Sequence, residues 1–186
     1  MDAIGLVRQD HRRLEALLER CERADQDAGE RTVLLDQLNA AIRHHVDEEE
    51  GLLYPAFPRA DGDLLARGTE QHRRITTLAD ELTAILPTTD SFQPKLRMLA
   101  EQVRTHLDTE DATLLTALEA ELDDPALLDL GRRLENRRRV VAAQEALESI
   151  TTNVLPKLRR GVMVVVAATA AAIALAAIAR RRAGGR

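Results

Sequence analysis

The chain has 186 residues, enough to bury one sizeable core with a smaller appendage, and its single cysteine, Cys21, excludes an internal disulfide and a thiolate metal cluster. Tyr54, Phe57 and Phe92 are the only aromatic residues, and the abundance of Leu, Ala, Arg and Glu predicts an all-α protein. Residues 157–186 carry seven basic side chains and no acidic one, which leaves residues 1–156 with a net charge of −12 and argues against nucleic-acid binding by that acidic body.

In chain order, apolar residues first recur at helical spacing from Ile4 through Leu6, Leu14, Leu17 and Leu18, and the pattern fades over the polar stretch Ala24 to Glu30. Cys21 reads as a small buried residue of this first helix. A second run through Val33, Leu34, Leu38, Ala41, Ile42 and His45 is expected to end near Leu53, because Pro55 and Pro58 cannot continue the backbone ladder. Helix three is expected from about Leu64 to Leu86, and helix four from near Pro94 to about Leu122, with the turn Pro87-Thr-Thr-Asp-Ser between them. Short connections between four long helices imply an antiparallel up-down bundle over residues 1–123.

Asp124 before Pro125 reads as a cap and first-turn pair opening a linker helix over residues 124–156. Its arginines 132, 133, 137, 138 and 139 suit a solvated face, anionic lipid head groups or the acidic bundle, and the sequence leaves these open. Residues 157–186 read as a C-terminal anchor with a basic tail. Residues 161–179 hold no charged side chain and are bracketed by Lys157, Arg159 and Arg160 before and by Arg180, Arg181 and Arg182 after. Nineteen residues at ~1.5 Å each span about 28 Å, which matches a hydrocarbon core and predicts a single transmembrane helix. An apolar packing helix is the alternative, since nine of the nineteen residues are alanine. No signal peptide opens the chain, so the bundle is expected at the membrane on the cytoplasmic side. Ala167, Ala171 and Ala174 would permit close approach of two tails, which leaves homo-oligomerisation open.

The chemistry lies in an internal repeat. Shifted by 61 residues, His11-Arg12-Arg13 falls on His72-Arg73-Arg74, and Arg43, His45, Asp47, Glu49 and Leu53 fall on Arg104, His106, Asp108, Glu110 and Leu114. Four of the five histidines occupy matched positions, and His44, aligned with Thr105, is the exception. Residues i and i+4 project from one helix face, so His45 with Glu49 and His106 with Glu110 are two chelating pairs. An up-down hairpin returns His45 to the level of His11, and His106 to that of His72. Two such hairpins packed about a pseudo-two-fold axis bring four imidazoles and two carboxylates to one place, a donor set suited to iron, zinc, manganese or copper. The two Glu can bridge two metals, with two His completing each. Without metal, both carboxyls are expected to be protonated or the core loosened, so metal should stabilise the fold.

His11 after Asp10, the segment His45-Val-Asp-Glu-Glu49-Glu50-Gly-Leu-Leu-Tyr54-Pro55, His72, and His106-Leu-Asp-Thr-Glu110-Asp111 together resemble the hemerythrin-like, or HHE cation-binding, domain over roughly residues 3–122. The resemblance implies two non-haem iron ions, with His11, His45, His72 and His106 as terminal ligands and Glu49 and Glu110 as bridging carboxylates. It also implies a small diatomic partner, oxygen or nitric oxide. Oxygen-carrying members have a second histidine one turn after the third-helix ligand; this chain has Thr76, so reversible oxygen carriage does not transfer. Glu50 and Asp111 read either as partners of the ligand set or as residues at the bundle edge, and Tyr54 as corner packing. The functional expectation is a membrane-anchored protein binding or sensing oxygen, nitric oxide or iron. A peroxidase- or oxidase-type enzyme and a metal-free helical scaffold are the alternatives.

Overall fold

The computed structural model describes residues 1–23, 28–57 and 62–149, and all regular structure among them is helical. In chain order the elements are α1 (Ala3–Arg23), α2 (Ala28–Glu48), a π-helical turn (Glu49–Leu53), a 3-10 turn (Tyr54–Ala56), α3 (Gly62–Thr83), α4 (Phe92–Ala112), α5 (Leu114–Glu121) and α6 (Asp124–Ser149). Helices α1 to α4 form a closed ring of neighbours, α1 and α3 each packing on both α2 and α4. This is the expected up-down bundle, in which each short connection returns the chain beside its predecessor. One compact unit runs from Met1 to Arg137, and a second begins at Arg138.

The bundle buries two apolar layers. One joins Leu14, Leu18 and Cys21 of α1 to Leu38 and Ile42 of α2, Ile75 and Leu82 of α3, and Leu96, Leu99 and Val103 of α4. The 61-residue offset runs through it, pairing Leu14 with Ile75, Cys21 with Leu82, Leu38 with Leu99 and Ile42 with Val103. Burial pushes the Cys21 thiol up to about 11, so it packs as a small apolar group. The second layer gathers Ile4, Leu6 and Val7 of α1, Leu53, Tyr54 and Phe57 of the corner, Leu114, Leu115 and Leu118 of α5, and Leu127, Leu130 and Leu134 of α6. Each leucine fully removed from water contributes about 1.5–3 kcal/mol. In every bundle helix the site histidine falls in sequence between residues of these layers, as His11 does between Val7 and Leu14.

Three details depart from the sequence-based expectation. The fourth helix does not run unbroken to Leu122: it stops at Ala112, and Thr113, at φ −119° and ψ −66°, separates it from α5. The second helix reaches Leu53 only by widening into the π-helical turn. The π turn begins on one site glutamate, Glu49, the break at Thr113 lies just beyond the other, Glu110, and the 61-residue offset superposes Thr113 on Leu52 of the π turn. The cap of α6 is Asp123 and not Asp124, since Asp123 Oδ1 accepts the Ala126 N–H at 2.9 Å. Leu127, Leu130 and Leu134 place the start of α6 in the core, and Gly131 admits the backbone of residues 1–3, with which any side chain there would collide. The expected transmembrane segment, residues 161–179, lies outside the described residues; among those described, no helix is long and apolar enough to cross a membrane.

Candidate metal centre

The six residues singled out by the repeat converge. His11 comes from α1, His45 from α2, Glu49 from the π turn, His72 from α3, and His106 and Glu110 from α4, and each is at most 5% exposed. The Nε2 atom of His106 lies 3.2 Å from that of His45 and 3.1 Å from that of His72. Glu49 reaches three imidazoles, at 3.9 Å from His11 Nε2, 3.2 Å from His45 Nδ1 and 3.2 Å from His72 Nε2. Glu110 reaches His11 Nε2 at 3.2 Å, His106 Nε2 at 3.6 Å and His45 Nε2 at 4.0 Å. Each carboxylate therefore touches both hairpins.

These contacts do not satisfy the groups. All four oxygens of Glu49 and Glu110, and both ring nitrogens of His11, are buried without an aligned hydrogen bond. Such orphaned polar atoms cost about 1–3 kcal/mol each, more when charged, and a cation among them removes that cost. Donor atoms within 4.8 Å of one another form two overlapping groups: His45, Glu49, His72 and His106; and His11, His45, Glu49 and Glu110. Imidazole with carboxylate is a transition-metal donor set, and the residues present fit such an ion.

The protonation pattern is split. Burial drives His45 well below the ordinary imidazole range, and His106 down to about 4. Burial also opposes a charge on His11, but the facing Glu110 and Glu49 carboxylates outweigh it and carry His11 up to about 10. Burial, reinforced by Glu110, raises Glu49 well above the carboxylate range. Glu110 is buried too, yet His11, His45 and His106 hold it down at about 2. Burial thus favours a proton on Glu49, while the facing imidazoles favour the charged form of Glu110.

The hemerythrin HHE cation binding domain model matches residues 2–118. The chain belongs to the hemerythrin HHE cation binding domain family. Among solved structures, a hemerythrin HHE cation binding domain-containing protein from Mycobacterium kansasii aligns with a TM-score of 0.73 at 21% identity, covering 82% of this chain and 94% of that one. It shares the fold. A curated relative, a DNA nickase from Nostoc sp., is 26% identical over 120 residues, covering 63% of this chain and 34% of its own, so the present chain spans about a third of that relative's length.

Around the six residues of this hemerythrin-like domain lies a set of polar partners. Glu50 Oε1 accepts from His72 Nδ1 at 2.9 Å, and Asp111 Oδ1 faces His11 Nδ1 at 3.3 Å but out of line for a hydrogen bond. Both acids sit at the bundle edge, with side chains 38% and 44% exposed, so the two readings made from sequence are compatible. Each reaches across to the lone histidine of the other hairpin. Gln71, which the sequence reading missed, accepts from His106 Nδ1 through Oε1 at 3.2 Å. Its signal was the offset, which pairs Gln71 with Asp10 immediately before each lone histidine. A carboxylate or amide oxygen on Nδ1 leaves the Nε2 lone pair for the centre.

Thr76 supplies no ligand atom, since its hydroxyl donates to the His72 carbonyl at 2.9 Å. Tyr54 packs at the corner as expected, and its ring also stacks on His72 at 5.8 Å with an interplanar angle of 10°. His44 lies outside the cluster, with Nδ1 3.6 Å from Glu48 Oε1 and its side chain 31% exposed.

Proposed function

We propose that this hemerythrin-like domain holds two non-haem iron ions on His11, His45, Glu49, His72, His106 and Glu110, and that it binds or senses oxygen, nitric oxide or iron at a membrane. The observation that carries the reading is the meeting of three Nε2 atoms and two buried carboxylates that lack a hydrogen bond on any of their four oxygens. Iron bound there would supply coordination positions that six protein donors leave open to a small molecule. His45 and His106, held neutral by burial, offer lone pairs at no cost in deprotonation. Glu50 and Gln71 fix two Nδ1 protons outward, and the apolar layers keep bulk water away. With Thr76 turned to its own helix, the centre is symmetric in its ligands, four His and two Glu.

Elemental analysis with an absorption spectrum of protein purified without chelators tests the reading. About two irons per chain, with bands of an oxygen-bridged pair, are expected. No bound metal, together with unchanged thermal stability on adding iron, overturns it. The membrane part rests on the uncharged run 161–179 and its basic flanks. Deleting residues 157–186 should move the protein from the membrane to the soluble fraction with its metal intact; a deletion product still in the membrane refutes the anchor.

A further inference from the structure

Openings lead from solvent toward the centre on both sides of α4. Between α3 and α4, a cavity of about 60 Å³ reaches His106 and Glu110 past Tyr54 and Gln71. Gly68 makes this room, because a Cβ there would strike the Tyr54 hydroxyl. The wall holds Arg67 and, apart from Glu110 itself, no acid. Its imidazole is tied in place, His106 Nδ1 donating to Gln71 Oε1.

Between α1 and α4, a groove of about 310 Å³ ends on His11 and differs in both respects. Its walls carry Glu15, Glu19, Asp108 and Asp111 against Arg8 and Arg12. Arg104 and Arg23 answer Glu15 and Glu19, which leaves Asp108 and Asp111 toward a cation. Arg8 is drawn aside by Glu119, whose Oε1 lies 3.2 Å from its Nη1, and its Nε stands 3.8 Å from Asp111 Oδ1.

His11 is also a ring that no hydrogen bond ties. It is 5% exposed, and neither of its nitrogens has an aligned partner. Nδ1 faces Asp111 Oδ1 at 3.3 Å and Nε2 faces Glu110 Oε2 at 3.2 Å, so one ring spans an acid of the groove and an acid of the centre. Asp111 Oδ1 is itself buried without a hydrogen bond, although the side chain is 44% exposed. Donors 3.3 Å apart subtend about 100° at a cation ~2.1 Å from each, an angle that tetrahedral and octahedral ions both accept. A pair too poorly aligned for a hydrogen bond is thus well placed as two ligands.

We infer that Asp111 Oδ1 and His11 Nδ1 form an outer, transient site for a divalent transition-metal cation, and that the groove between α1 and α4 is the route by which the centre is loaded. This rests on the metal-centre reading above. Asp111 takes the ion from solvent, and rotation of the untied His11 ring passes it inward to Glu110. A group that lies on the path and outside the final ligand set changes the barrier and not the end states, so it alters loading and release by the same factor. Glu50, whose hydrogen bond holds His72 in the final state, acts on release alone.

Cobalt(II) is the probe, added to the full-length protein after its metal is removed with a chelator. Tyr54 is the only tyrosine in a chain without tryptophan and stacks on His72. Quenching of its fluorescence reports arrival of the ion at the centre, and recovery under excess chelator reports release. Asp111→Asn removes a charge that steers the ion and should slow both processes about tenfold, with the affinity changed by far less. Ala16→Phe fills the groove and should slow both as well, whereas Thr109→Phe, at the cavity between α3 and α4, should slow neither. Glu50→Gln should speed release about tenfold and leave loading as it is. Should Ala16→Phe fail to fold, Ala16→Leu replaces it. Unchanged rates in Asp111→Asn, faster release without slower loading there, or slowing by Thr109→Phe in place of the groove variant overturns the route and leaves the centre standing. Failure of the unaltered protein to bind cobalt at equilibrium overturns the centre itself, and the route with it.

Discussion

His72 and His11 occupy equivalent places in the two hairpins, but their surroundings differ. Nδ1 of His72 is hydrogen-bonded to Glu50, and Tyr54 stacks on its face. Both nitrogens of His11 lack an aligned partner, although Asp111 and Glu110 stand 3.3 and 3.2 Å away. The offset explains part of this. It carries Tyr54 onto Leu115 and Gly68 onto Val7, so His11 has neither a stacking ring nor the gap that would admit one. A duplicated pattern of residues can thus be held by a hydrogen bond and a stacked ring on one side and left without an aligned partner on the other.

The largest effects should come from the residues proposed as ligands. Replacing His45 or His106 by Ala should cost more than the 10–100-fold in metal affinity typical of outer partners, about 100-fold or above, while His44→Ala leaves it unchanged. Equal losses at all three positions, read by metal titration, would contradict the assignment. Chelation comes next: a metal present at about 100 times its dissociation constant stabilises by about 2.7 kcal/mol, or roughly 5–10 °C in Tm at this chain length. Hydrogen exchange sharpens the comparison, because removing metal should lower amide protection around His11 in α1 more than around His72 in α3. The reverse order would show that the hydrogen-bonded side is not the more self-supporting.

Among the outer partners, Glu50→Gln should weaken metal binding about tenfold or more, and Asp111→Asn by less than about tenfold, since only Glu50 makes an aligned hydrogen bond. Equal effects would erase the distinction between the two sides. Thr76→Ala should be the mildest change, within about 0.5 kcal/mol in denaturant unfolding and with iron content retained. Its hydroxyl serves only its own helix.

Much of the bundle was legible because helical periodicity, prolines and short connections are local signals. The helix ends were not. Whether the chain after Glu49 widens into a π turn, or breaks at Thr113 after Glu110, depends on packing against the second apolar layer, and no single residue announces it. Gln71 was missed for a related reason: an amide on an exposed-looking helix position gains meaning only when a neighbouring helix places an imidazole beside it.

The sequence by itself determined which residues meet. A 61-residue repeat with His and Glu one helical turn apart leaves little freedom in where four histidines and two glutamates can go, since helix rise and hairpin return are fixed by backbone geometry. Tertiary structure alone decided how they meet. The exchange of Glu50 and Asp111 across the hairpins, the opposite shifts of His11 upward and Glu110 downward, the stacked Tyr54 and the cavity at Gly68 all depend on side chains from distant segments sharing a space from which water is removed. In such a space, a few tenths of an ångström separate a hydrogen bond from an orphaned donor, and periodicity does not encode that difference.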